Sequence, residues 1–61
     1  MTMQVRIIRE SDGEYRAWCP ELPGCVEHGR SYEEAKLKID QAIRGYLASL
    51  NVSVASKLEV V

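Results

Sequence analysis

Met3-Gln4-Val5-Arg6-Ile7-Ile8-Arg9-Glu10, then Ser11-Asp12-Gly13, then Glu14-Tyr15-Arg16-Ala17-Trp18-Cys19 is the stretch on which the fold turns. Met3, Val5 and Ile7 alternate with polar residues, the period of a strand buried on one side. Ile8 breaks the alternation and puts one large apolar side chain on the opposite face. Asp12-Gly13 supplies the positive φ of a tight turn, so the chain doubles back as a hairpin. The second strand runs from about Glu14 to Cys19, with Tyr15, Ala17 and Cys19 on one face and Arg16 and Trp18 on the other.

Pro20-Glu21-Leu22-Pro23-Gly24 stops that strand. Two prolines remove backbone donors and fix φ, and Pro23-Gly24 suits the central positions of a type II turn, so the loop is expected to be stiff. Cys25 to His28 forms a short third strand ended by Gly29. Ser31-Tyr32-Glu33-Glu34 is a capping box, in which the Ser31 hydroxyl accepts from the Glu34 amide and the Glu34 carboxylate accepts from the Ser31 amide. From Ala35 the helical spacing gathers Ile39, Ile43, Tyr46, Leu47 and Leu50 into one stripe that must cover a sheet, leaving Leu37 outside it. Glu34 with Lys38 and Asp40 with Arg44 stand four apart with the acid first, the favourable order. Gly45 weakens the helix, which nevertheless continues to Leu50 or Asn51. Residues 51–56 read as loop and Lys57–Val61 as a last strand, with Leu58 and Val60 facing one way.

Strand, strand, strand, helix, strand is therefore the predicted order, an α+β domain over residues 1–61. Hairpins alternate the first three strands, and a right-handed crossover makes the fourth parallel to the first, giving sheet order 3-2-1-4. A chain of 61 residues has room for one domain. So small a core predicts association as a further source of stability.

Eight basic and nine acidic side chains leave a net charge of −1, so no excess positive field exists to bind nucleic acid directly. No apolar run approaches the ~20 residues that span a bilayer, and no signal-peptide pattern opens the chain, so membrane association is not expected and the expected compartment is the cytoplasm. Cys19, Cys25 and His28 offer metal donors, but three of them do not close a tetrahedral site, and alternation sends Cys25 and His28 to opposite faces. His28 has no nucleophile or carboxylate at a catalytic spacing, and Glu10, Asp12 and Glu14 gather at a hairpin tip rather than around a metal. Neither catalysis, nor a metal, nor a cofactor is expected.

Asp12-Gly13-Glu14-Tyr15, Ala17, Pro20-Glu21-Leu22-Pro23-Gly24-Cys25, Gly29, Glu33-Glu34-Ala35 and Ala42 together resemble the HicB-like antitoxin family, over about residues 3–50. The resemblance implies a partial RNase H-like sheet with one helix on one face. It also implies membership of a toxin–antitoxin system, in which such a domain binds and blocks a small basic HicA-type mRNA interferase. Family members usually carry glycine where Glu14 stands and Gly-Asp-Thr where this chain has Gly29-Arg30-Ser31. The serine keeps the helix cap, whereas Arg30 replaces an acid. Many relatives continue into a DNA-binding motif; this chain ends at Val61, so operator binding is not carried over.

Two sets of docking residues follow. The stiff loop residues Glu21, Leu22 and Pro23, with the acids Glu10, Asp12 and Glu14, are expected to face a basic toxin. Ile8 and Trp18, with Arg16, lie on the face away from the helix and have the composition of an interface centre, predicting a homodimer or higher homo-oligomer such as a tetramer. The alternative function is a homo-oligomeric orphan module that binds a small molecule or an unrelated protein.

Overall fold

The computed structural model describes residues 2–50 and 57–60. Five elements follow one another: β1 (Thr2–Arg9), β2 (Tyr15–Trp18), β3 (Val26–Gly29), α1 (Tyr32–Ser49) and β4 (Lys57–Val60). They form an α+β fold in which β1, β2 and β3 pair antiparallel, β4 pairs parallel to β1, and the sheet order is β3-β2-β1-β4. The expected loop over 51–56, the continuation of the helix to Asn51, the side chain of Leu58 and the strand end at Val61 lie outside the described residues.

The first hairpin is a three-residue connection. Glu10 N–H donates to Glu14 O at 2.7 Å, Gly13 N–H donates to Glu10 O at 3.0 Å, and Gly13 has φ +88°. That is a type I turn closed by one left-handed residue, the geometry that the Asp-Gly pair provides. Asp12 Oδ1 accepts from Glu14 N–H at 2.9 Å, so the aspartate holds the turn with its own side chain. β2 begins only at Tyr15, because the Glu14 amide is committed to the turn.

At the other end of β2 the chain makes two consecutive β-turns that share Leu22. Leu22 N–H donates to Cys19 O, and Cys25 N–H donates to Leu22 O, both at 3.1 Å. Pro20 and Pro23 occupy the second position of each turn, where a fixed φ is favourable, and Gly24 takes φ +82° in the second, as a type II turn requires. Cys19 N–H donates to Cys25 O at 3.1 Å and ties the ends together. Extending the β1–β2 register by two residues sets Gln4 opposite Pro20; there the Glu21 carboxylate takes the Gln4 amide at 3.2 Å.

One face of the sheet packs on α1. Met3, Val5, Ala17, Cys19, Leu22 and Cys25 are buried against Ala35, Ile39, Ile43 and Leu47, with Ile7, Tyr15, Ala42 and Val60 at the margin. The buried helix residues stand four apart, a narrower line than the predicted stripe. Tyr46 is 37% and Leu50 57% exposed. Tyr46 stands beside the line through Ile43 and Leu47 rather than on it, and Leu50 caps the helix end. Leu37 is exposed.

The helix start is fixed by three contacts. Ser31 Oγ accepts from Glu34 N–H at 3.1 Å, as the capping box predicts. The return bond differs: Glu34 Oε1 accepts from Arg30 N–H at 3.0 Å rather than from Ser31, reaching one residue further back. Tyr15 and Tyr32 meet edge to face, ring centroids 6.4 Å apart, which pins the first helical residue to β2. Gly29 lies so close beneath the first turn that a Cβ there would stand 2.5 Å from Ala35 N.

Candidate docking surfaces

The sheet face away from α1 carries a compact patch. Register places Arg6 opposite Trp18 and Trp18 opposite Val26, and in the next row Ile8 opposite Arg16 and Arg16 opposite His28. Ile8 is 40% and Val26 44% exposed, and Trp18 is half-buried. The Arg16 guanidinium stacks 4.9 Å from the centre of the Trp18 ring, an attraction that also holds the indole in place. Arg16 Nε lies 2.9 Å from Glu10 Oε1, a charge contact that does not align as a hydrogen bond. Ile8, Trp18 and Arg16 are thus brought together. Val26 completes the patch and was not foreseen, although alternation in the third strand, followed from Cys25, would have placed it there.

The residues expected to meet a toxin are divided by the structure. Glu10, Asp12 and Glu14 sit at the hairpin that precedes β2, whereas Glu21, Leu22 and Pro23 sit in the double turn that follows it. Leu22 is a correction to the expected docking set: at 8% exposure it belongs to the core, because both turns wrap around its side chain. Glu21 and Pro23 remain exposed. The hairpin acids are also partly engaged, Glu10 with Arg16 and Asp12 with the Glu14 amide. Glu14 lines a shallow polar depression with His28, Gly29, Arg30, Glu34 and Lys38, where acids and bases alternate. Glu34 in that depression caps the helix and pairs with Lys38.

Cys19 and Cys25 are free thiols in the core. Burial pushes the Cys19 thiol up, with the Glu21 carboxylate adding to the rise against the lowering effect of the Glu21 and Leu22 amides. Burial pushes Cys25 up as well, reinforced by Cys19 and Glu27. His28 is exposed on the opposite face, as alternation predicts. Among the described residues no group of three or more His, Cys, Asp or Glu side chains is placed to hold a metal, and no helix is long and apolar enough to cross a membrane.

No known family profile matches the chain, and no solved structure matches it. Three curated proteins do. A UPF0150 protein of Thermoplasma acidophilum is 42% identical over 50 residues, covering 82% of this chain and 72% of the relative. A UPF0150 protein of Synechocystis is 46% identical over 46 residues, 75% of this chain and 58% of the relative. A UPF0150 protein of Helicobacter pylori is 46% identical over 44 residues, 72% of this chain and 61% of the relative. The latter two are therefore matched over less than two thirds of their length, while the Thermoplasma match runs through most of both chains. On that match the protein belongs to the UPF0150 family.

Proposed function

We propose that the chain is a non-enzymatic protein-binding module, a HicB-like antitoxin that neutralises a HicA-type mRNA interferase in the cytoplasm by covering its active surface. In this reading the α+β sheet is a partial RNase H-like one. The observation that carries it is the one-sided sheet: among the described residues a single helix covers one face, and the other presents Ile8, Trp18 and Val26 around a stacked Arg16. A half-buried tryptophan ringed by aliphatic and arginine side chains is the usual centre of a protein contact. Exposed Glu21 at one end of β2, and Asp12 and Glu14 at the other, supply negative charge to steer a basic partner. The net charge of −1 favours a protein partner over RNA.

Co-expression with the cognate toxin tests the reading. Growth is expected to be restored by this chain and lost again when it is omitted. Equal killing with and without it would refute the antitoxin role.

A second reading is favoured by the same open face, whose apolar centre also suits a second copy of the chain. In that case the protein is a homo-oligomeric module, a dimer or tetramer, whose ligand is a small molecule or an unrelated protein. Sedimentation of the chain alone and with the toxin separates the two, since the first requires a mixed complex and the second only self-association.

A further inference from the structure

We propose that Cys19 and Cys25 are a peroxide-oxidisable dithiol that closes reversibly into an intrachain disulfide across the neck of the Pro20–Gly24 loop. The geometry comes from the ladder. Trp18 pairs with Val26, so the next pair outward is Cys19 with Cys25, and Cys19 N–H donates to Cys25 O at 3.1 Å. Only one of the two bonds of such a pair is made, since Cys25 N–H turns to Leu22 O, but residues directly opposed across antiparallel strands have Cα atoms ~4.5–5.5 Å apart, inside the ~4.4–6.8 Å range that a disulfide needs. Both side chains point to the helix-covered face and both are in the core. Both residues lie just beyond the ends of β2 and β3, so the backbone can adjust without breaking the ladder between Trp18 and Val26.

The loop between them is already folded for closure. Its two turns and the Cys19–Cys25 hydrogen bond bring the ends together before any sulfur chemistry occurs. A peroxide is little larger than water and is the class of oxidant suited to sulfurs on residues only 3% and 6% exposed. The Glu21 and Leu22 amides face the Cys19 sulfur and offset part of the burial that pushes its thiol up, an offset that Cys25 lacks, so Cys19 is the attacking group of the two. Cys19 Sγ attacks one peroxide oxygen, the O–O bond breaks, and the leaving hydroxide takes up a proton as water, leaving a sulfenic acid. Cys25 Sγ then attacks the Cys19 sulfur, the S–O bond breaks, and the Cys25 proton leaves with the hydroxyl as a second water. Two thiols are oxidised to one disulfide and one peroxide is reduced to two waters. The inference needs no partner and stands apart from the antitoxin reading.

The test treats the folded full-length chain with hydrogen peroxide and reads its mass under denaturing, non-reducing conditions. The expected result is loss of the mass of two hydrogens in a single chain, reversed by dithiothreitol, with an unfolding midpoint raised by on the order of 10 °C because a closed loop restricts the unfolded chain. Cys25→Ser should stop at a sulfenic acid on Cys19 that dimedone traps. The proposal is overturned if both thiols stay reduced in the folded chain while the urea-unfolded chain closes the bridge. Bridges formed between chains, or a bridged chain that melts below the reduced one, would overturn it equally.

Discussion

Two glycines in this chain should respond to the same substitution with opposite sign. A methyl group at Gly29 would meet Ala35 N at 2.5 Å and Ala35 Cα at 3.0 Å, backbone atoms of the first helical turn that cannot step aside. Gly29→Ala is expected to cost about 3 kcal/mol, the upper part of the range for overpacking, read as a lower urea midpoint at unchanged slope. Gly45, exposed on α1, has nothing within 4 Å of an added Cβ. Gly45→Ala should stabilise by about 1 kcal/mol, the helix-propensity difference. The sequence carried only the second of these outcomes. A glycine inside a helical pattern is visible as a weakness, whereas the contact between Gly29 and the turn that follows it appears only once α1 folds back over β3.

The double turn from Cys19 to Cys25 is organised by one buried side chain, and Leu22→Ala should therefore cost about 2–4 kcal/mol although the residue sits in a loop. Protease sensitivity of residues 20–24 should rise with it; an unchanged midpoint would show that the prolines alone hold the loop. The turns were readable from Pro-x-x-Pro-Gly, but the inward direction of Leu22 was not, because turn chemistry fixes dihedral angles and not which side chain faces the core. The helix behaved the same way: its start was legible from Ser31 and Glu34, while the exposure of Tyr46 and Leu50 depended on how narrow a line of the helix meets the sheet. The two thiols flanking the turn add a pH dependence of known sign. Their folded values lie above the ordinary 9.0, so above that pH the unfolded chain releases protons first. Their contribution to stability is whole below 9.0 and is lost as pH climbs through the folded values. Unfolding in urea at about pH 8 and about pH 10 should show a smaller alkaline loss in the Cys19→Ser/Cys25→Ser double variant than in the parent.

At the scale of the molecule, a single helix on a four-stranded sheet leaves, among the described residues, one face of the sheet without a partner of its own. Trp18→Ala should weaken self-association and make the unfolding midpoint less dependent on protein concentration, as mass action requires of a folded oligomer. Sedimentation equilibrium over a wide concentration range checks this, and a parent chain that remains monomeric throughout would exclude the face as a self-contact. The open face was legible before any coordinates because alternation in two strands is enough to sort Ile8 and Trp18 from Val5 and Ala17. The separation of the acidic hairpin from the proline loop was not, since it depends on which end of β2 each connection leaves. The pairing of β1 with β4 has a further consequence for the order in which the chain is made. β1 leaves the ribosome well before β4, yet the two are neighbours. Until β4 emerges, the flank of β1 that will receive it stays open to any extended segment nearby, so a nascent chain with only residues up to the end of α1 outside the ribosome would hold its hairpin and helix but expose an unpaired edge. Polysomes translating this message at high density would bring such edges together, and arrested chains that expose residues only to about 50 outside the ribosome should be captured by chaperones far more than chains that expose residue 60.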